Sequence, residues 1–357
     1  MKRVFFSVLV CIIGVGLVCN FAFAKGDPLA KWKPKFDPSG AKYKCIVSNV
    51  SHPLLDGFAG FAMRDLLWER TGGKFYLDFK PFSMLGGEVE VLNQLQMGAI
   101  QGMAVSSIAA TNLGPRFGLV NLPFLVNSFD KLETFINSGK LFDHFMMAMD
   151  HQGIMGINIT TYGNYGWASK VPIRNIEELR KVKIRIGEAA VNKLSYEAWG
   201  LKPVVMPWPD VPVALKQGVI DGLDHTLIVC NITKKFEQCK YFTQINYAQG
   251  LFIWIFNKAW FNKLPKDIQK IFVDTVNEVC KNSRPKGKAL EEAQIANAKE
   301  NGVTFLHMST DEMGKLRKLS DKVHQKFADE INNVTKNDKY SPKDYLKEVQ
   351  EYMGYKP

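Results

Sequence analysis

The sequence predicts an α/β chain folded as two lobes around a cleft. Three observations carry that expectation. Strand and helix patterns alternate from Tyr43 to His307, which implies largely parallel strands covered by helices. The chain has 357 residues, 46% of them apolar and 23% charged, enough for a large packed core. Finally, a single sheet of ten or more strands tends to split, so two lobes suit this length better.

The elements follow in order. Residues 1–24 read as a signal peptide cleaved after Ala24: Lys2 and Arg3 precede an apolar run from Val4 to Cys19, and Ala22-Phe23-Ala24 fits the small-x-small rule. Residues 25–41, rich in proline, glycine and charge, read as an exposed arm. Tyr43–Val50 is a predicted strand, Leu54–Arg70 a helix stopped by Gly72-Gly73, and Lys74–Phe79 a strand. Gly86-Gly87 opens a helix through Met97, and Gly102–Ser106 is a short strand. Leu132–Asp150 reads as one helix, Ile154–Thr160 as a strand, and Thr161–Trp167 as an aromatic-glycine loop. Ile176–Lys181 (helix), Lys183–Ile186 (strand), Ala189–Trp199 (helix), Pro203–Met206 (strand) and Asp210–Gln217 (helix) continue the alternation, and Val219–Leu223 leads into the next unit. Leu251–Phe256 is a strongly apolar strand. Lys266–Asn301 is a long helical stretch with an expected break near Ser283-Arg284-Pro285. Val303–His307 is a strand, and Thr310–Ile331 and Pro342–Met353 are helices. The late strands imply that the chain crosses between lobes more than once.

Composition and motifs exclude more than they assert. The formal net charge is +11; losing Lys2 and Arg3 lowers it by two, to +9. The basic residues do not cluster as a nucleic-acid footprint would. They interleave with acids on helix faces such as Lys315–Lys322. The chain has no G-x-S-x-G, H-E-x-x-H, P-loop or G-x-G-x-x-G. Ser128-Phe129-Asp130-Lys131 matches S-x-x-K, but Ser128 is better read as a helix cap. The six histidines show no metal-ligand spacing, so no metal or cofactor is expected. Cys45, Cys230, Cys239 and Cys280 remain after cleavage; Cys230 and Cys239 are the closest pair, and buried free thiols are the expected state. The Asn158, Asn231 and Asn333 glycosylation triplets read as chance matches.

In Val182–Ile186, Lys183 and Arg185 face away from Val182, Ile184 and Ile186. The residues alone favour a structural ion pair or an exposed strand end for Arg185. The alternative is a guanidinium fork offering parallel donors to a carboxylate.

Several pieces in this order resemble one family. They are Leu85-Gly86-Gly87-Glu88, Leu95 to Gly98, Leu122-Pro123-Phe124 and Ser169-Lys170-Val171-Pro172-Ile173. Lys183-Ile184-Arg185-Ile186, Met206-Pro207-Trp208 and the block from Ala214 to Gly222 complete the set. The chain resembles the DctP-type solute-binding proteins of TRAP (tripartite ATP-independent periplasmic) transporters over nearly its whole mature length. The resemblance implies a two-lobed periplasmic-binding-protein-like fold with crossover strands and a long bracing helix. It implies a monomeric periplasmic receptor that closes on a small organic acid, delivers it to membrane permease subunits and catalyses nothing. The competing readings are an exported α/β hydrolase or lyase, which lacks a nucleophile–base motif, and a polyanion binder, motivated only by charge. The expected division is 42–162 with about 251–290 for lobe I, 163–250 with about 291–325 for lobe II, and 326–357 for C-terminal helices.

The resemblance places Arg185 on the ligand carboxylate and Trp208 on the pocket wall. Tyr165 and Trp167 belong to a glycine-rich loop at a strand end and are expected to line the cleft. Trp254 reads equally as pocket or core. Tyr165 stands where many relatives carry a second arginine, and Asp224-His225 where they carry a glutamate and then an asparagine. A four-carbon dicarboxylate is therefore not assumed; a monocarboxylate with an apolar, hydroxy, keto or aromatic remainder is at least as compatible. His225 is read as a neutral hydrogen-bond donor to the ligand, as a cation below its pKa of about 6.5, or as a hinge histidine packing under the loop. His52, Phe58 and Ser106 follow strand ends in the first lobe, where ligands of open α/β sheets bind. Glu88 reads as a first-turn carboxylate complementing its helix dipole.

Overall fold

The structure, a computed structural model, describes residues 29–331 and 342–356. The expected signal peptide and the Asn333 triplet lie outside the described residues. Of the described residues, 29–37 belong to a separate unit, which contains the 3₁₀ turn Ala30–Trp32. The rest, from Pro38, is one unit.

Its strands are β1 (Tyr43–Ser48), β2 (Phe75–Lys80), β3 (Gly102–Ser106), β4 (Ile154–Ser169), β5 (Ile184–Ile186), β6 (Val204–Val205), β7 (Gly222–Thr226), β8 (Tyr241–Asn257) and β9 (Thr304–His307). They pair in the order β2-β1-β3-β8-β4-β7-β5-β6, with β9 on β8. One sheet runs through both halves, because β4 and β8 are 16 and 17 residues long. The first half of β4 pairs with the second half of β8, which also pairs with β3. The second half of β4 pairs with β7, and the first half of β8 carries β9. Each long strand therefore serves a different set of neighbours at its two ends.

This overturns the expected loop at Thr161–Trp167. Those residues continue β4 through register shifts between Thr161 and Asn164 and between Asn164 and Gly166. Bulges accommodate an extra residue and let the strand bend; Gly163 supplies the positive φ of 99° that one of them needs.

The helices are α1 (Ala59–Arg70), α2 (Glu88–Gln96), α3 (Ser107–Ala110), α4 (Phe129–Ile136), α5 (Lys140–Met146), α6 (Ile176–Leu179), α7 (Ala190–Ala198), α8 (Val211–Gln217), α9 (Leu227–Ile232), α10 (Lys258–Asn262), α11 (Lys266–Glu300), α12 (Thr310–Ile331) and α13 (Pro342–Tyr352). Ser128 is indeed a cap: its Oγ accepts from the Lys131 backbone N–H at 3.1 Å. The single helix expected over Leu132–Asp150 is broken at Gly139, whose φ of 59° no right-handed helix contains. None of the described helices is long and apolar enough to cross a membrane.

Helix α11 packs on α1 at one half, on α9 at the other and on β4 between them. The break expected near Pro285 does not occur. Proline removes one helical hydrogen bond, but its neighbours are fixed from outside the helix. Ser283 Oγ donates to the Asp56 carbonyl, and Arg284 pairs with Glu133 at 2.5 Å and donates to the Ile159 carbonyl at 3.2 Å. Helix α12 runs without interruption through the boundary expected at residues 325–326. All four described cysteines are free and buried.

Candidate functional site

The parallel strands end where the two halves of the sheet meet, and their carboxyl ends place polar side chains around one small cavity. Its volume is about 40 Å³. Grooves of about 460 Å³ lie elsewhere along α12, but they are open to solvent and bordered by charged surface side chains such as Asp321 and Lys347. Only the small cavity gathers buried charges.

Arg185 sits on β5 between β6 and β7. Its side chain is only 6% exposed. Nε and Nη2 both donate to the Met206 carbonyl, at 2.9 and 2.6 Å. Met206 is held there because its own N–H bonds the Ile186 carbonyl at 3.2 Å. Nη1 makes no hydrogen bond, and no carboxylate forms a salt bridge with Arg185, among the described residues. Burial lowers its pKa, while Tyr165, Asp224 and Glu88 raise it; an arginine stays charged even so. A buried cation with one free edge is costly unless an anion meets it.

Trp208 follows β6. Its ring lies 5.7 Å from the Arg185 guanidinium carbon, 4.9 Å from Lys235 Nζ and 4.8 Å edge-on from His225. His225, on β7, is stacked on Tyr165 of β4 at 5.7 Å. The Thr226 backbone N–H donates to His225 Nδ1 at 2.9 Å. That makes Nδ1 the acceptor, so Nε2 carries the proton of the neutral ring. Burial, then the charges of Arg185 and Lys235, push its pKa well below the usual histidine value. His225 is therefore a neutral donor, which decides between the two charge states open in the sequence.

Asp224 is 2% exposed. Tyr247 donates to its Oδ2 at 2.6 Å, and Oδ1 is buried without a hydrogen-bond partner. Burial raises its pKa to about 7, against the opposing pull of the Tyr247 and Tyr196 hydroxyls and of Arg185. From the other half, Glu88 heads α2 and reaches the end of β3. Its Oε1 accepts from the Ser106 N–H at 2.6 Å and its Oε2 from Ser106 Oγ at 2.8 Å. Burial raises its pKa as well. Ser106 also caps α3.

The structure thus brings together Arg185, Trp208, Tyr165, His225, Asp224 and Ser106. It separates four others. Trp167 and Trp254 are fully buried core residues: Trp167 Nε1 donates to the Tyr196 hydroxyl at 2.7 Å, and Trp254 Nε1 to Thr160 Oγ1 at 3.2 Å. Both belong to strands rather than loops, so their large apolar faces pack inward. His52 caps a 3₁₀ turn, accepting from Leu54 N–H at 3.1 Å, and its ring packs on Phe82. Phe58, at φ 63°, begins α1 away from the cavity. The strand-end rule pointed to the right region there, but Val50 and Ser51 are the residues that line it.

Sequence reasoning missed Glu88 and Tyr162 as lining residues. Glu88 does occupy a first helical turn, but its carboxylate is directed to Ser106. Tyr162 shares a 3.1 Å hydrogen bond with Tyr165 through their hydroxyls. Gly250 makes room for its ring: a Cβ there would lie 2.2 Å from it. The pairing of a glycine with a large aromatic on neighbouring strands was the available signal.

A family model of bacterial extracellular solute-binding proteins, family 7 (DctP), matches residues 47–330. The chain belongs to the DctP family. Family 7 proteins are solute receptors, and nothing supports the hydrolase alternative. This DctP-family chain is 25% identical over 301 residues to the C4-dicarboxylate-binding periplasmic protein DctP of Rhodobacter capsulatus, spanning 84% of this chain and 89% of that one. It is 26% identical over 246 residues to the 2,3-diketo-L-gulonate-binding periplasmic protein YiaO of Escherichia coli, spanning 68% of this chain and 74% of that one. Its fold matches a TRAP periplasmic solute binding protein from Desulfovibrio salexigens with bound orotic acid. The TM-score is 0.81 and the identity 21%, covering 88% of this chain and 99% of the other. A Haemophilus influenzae protein of the same kind with bound L-gulonate gives a TM-score of 0.80 at 18% identity, covering 87% and 100%. The two-lobed periplasmic-binding fold expected for DctP proteins is therefore shown.

Proposed function

We propose that this chain is the extracytoplasmic receptor of a TRAP transporter, exported to the periplasm by a signal peptide at residues 1–24, where it works as a monomer. It captures a small organic acid in the cavity at Arg185 and hands it to membrane permease subunits. The observation that carries this reading is the state of Arg185. Its guanidinium is buried, fixed on one edge by Met206, and lacks a carboxylate partner. A ligand carboxylate on the Nη1 edge supplies that partner, and a charge-assisted bond there contributes about 1.5–3 kcal/mol. The carboxylate ligands named for the related structures support the same chemistry.

Capture proceeds by closure. The β4 and β8 segments around Thr161–Gly166 and Gln244–Leu251 link the two halves of the sheet. Residues on both sides contribute to the cavity, Glu88 and Ser106 from one and Arg185 and His225 from the other. A ligand that touches both sides shifts the population toward the closed form. Expected domains are residues 42–162 with about 251–290, and 163–250 with about 291–325.

A thermal-shift screen of small carboxylates, followed by calorimetry, tests this directly, because a ligand of the folded state raises Tm by mass action. At least one organic acid is expected to stabilise the protein, with that gain abolished by Arg185→Ala. An affinity left unchanged by the substitution, or a screen in which no carboxylate stabilises the protein, overturns the proposal.

A further inference from the structure

The cavity's charges also select among organic acids. This step rests on the receptor reading above. Of the residues that line the cavity, Arg185 is the one cation, whereas Glu88 and Asp224 are both carboxyl groups. Lys235 is the nearest further cation, but its Nζ is held by the Thr233 carbonyl at 3.0 Å and the Trp208 ring face at 4.9 Å. Glu188 adds another negative charge that acts on both Glu88 and Arg185. A second ligand carboxylate therefore meets acids, not a second arginine. Burial raises the pKa of both acids, so a second ligand carboxylate must either share a proton with one of them or meet a like charge at short range, which repels strongly.

The acceptors are not exhausted, however. Each oxygen of Glu88 accepts one hydrogen bond from Ser106 and keeps a further lone pair. Asp224 Oδ1 is buried and makes no hydrogen bond, although the Tyr196 hydroxyl acts on the same carboxyl. On the half opposite Glu88, Arg185 Nη1 and His225 Nε2 are donors, with the Asp224 carboxyl beside them on β7. Glu88 thus presents an acceptor from one half, and Arg185 and His225 present donors from the other.

We propose that the ligand is a monocarboxylate carrying a hydrogen-bond donor near its carboxylate, a hydroxyl or an ammonium, which Glu88 accepts across the cleft; dicarboxylates are rejected. Arg185 takes the carboxylate, and Glu88 is the specificity-determining residue.

Calorimetry on the full-length mature protein with matched pairs tests this at several sizes. The pairs are lactate with propionate, 2-hydroxyisocaproate with isocaproate, and mandelate with phenylacetate. Alanine reports on the ammonium alternative and succinate on the dicarboxylate. The donor-bearing member of at least one pair is expected to bind roughly ten- to a hundredfold more tightly than its partner, the range of one hydrogen bond to a charged acceptor. Succinate is expected to bind more weakly than that member. Glu88→Gln keeps the size, with its Oε1 accepting the Ser106 N–H and its Nε2 donating to Ser106 Oγ in place of the present Oγ–H bond, and is expected to shrink the gap to a few-fold while improving succinate binding. Succinate as the tightest ligand, or pairs that bind equally, overturns this proposal and leaves the receptor reading intact. Failure of every acid to bind overturns both. If Glu88→Gln does not fold, the wild-type selectivity alone decides.

Discussion

The Met206 carbonyl accepts both Nε and Nη2 of Arg185, at 2.9 and 2.6 Å. That contact fixes the plane of the guanidinium and leaves its Nη1 edge for a ligand. Lysine carries the charge but has neither the plane nor the fork. Arg185→Lys is therefore expected to weaken ligand binding by roughly tenfold to more than a hundredfold, with the far-ultraviolet circular dichroism unchanged. Titration calorimetry of the variant with the wild-type ligand is the check.

Ile108, just after β3, lies against Gly187, just after β5. A Cβ added at Gly187 would lie 2.9 Å from Ile108 Cγ2. Isoleucine is stiff at χ1 and cannot swing its Cγ2 away cheaply. Gly187→Ala should therefore oppose the closed form and lower affinity several-fold, while the Tm without ligand falls little. Equal affinity in the variant and the parent would show that closure does not press these residues together.

Three groups with large shifts contribute to the pH dependence of stability, two buried carboxyls and the half-buried His144. Burial raises both Asp56 and Asp224 to about 7 and lowers His144 to about 4. Between their ordinary values near 4 and their folded values near 7, the two carboxyls hold protons that the unfolded chain has released. Their contribution to stability therefore falls as pH rises through that window. His144 acts oppositely: between about 4 and 6.5 the unfolded chain holds the extra proton, so stability rises with pH there. Above 6.5 only the carboxyls remain, and Tm is expected to decline toward pH 8. Asp56→Asn keeps the acceptor for the Ala59 N–H and should flatten that decline, by on the order of a few kcal/mol across the window. Calorimetric scans from pH 5 to 8 on both proteins would reveal it.

Glu291 of α11 holds the bulge of β4. Its two oxygens accept from the backbone N–H and the Nδ2 of Asn164, both at 2.8 Å. Gln249 of β8 donates to the same asparagine's Oδ1. Glu291→Ala leaves a part-buried N–H and an amide unpaired, and should destabilise the fold by about 1–3 kcal/mol. Urea denaturation of the pair would measure this. Glu291→Gln, which retains an acceptor, should lose less.

The sequence by itself determined the local chemistry. Periodicity and punctuation placed β3, α12 and the start of α2 almost to the residue, because alternation, helical spacing and glycine stops are properties of neighbours in the chain. It also carried the ordered motifs that placed the chain among solute receptors and marked Arg185. What it could not reach were relationships between residues far apart. The aromatic-glycine segment at Tyr162–Trp167 is a strand because β7 and β8 flank it on both sides. Pro285 stays inside α11 because Asp56, Glu133 and Ile159 bind its neighbours. Trp254 is core because Phe79, 175 residues earlier, stacks on it. Only the tertiary structure could direct Glu88 to Ser106 and set both across a cleft from Arg185, since burial and charge at a site are sums over all its neighbours.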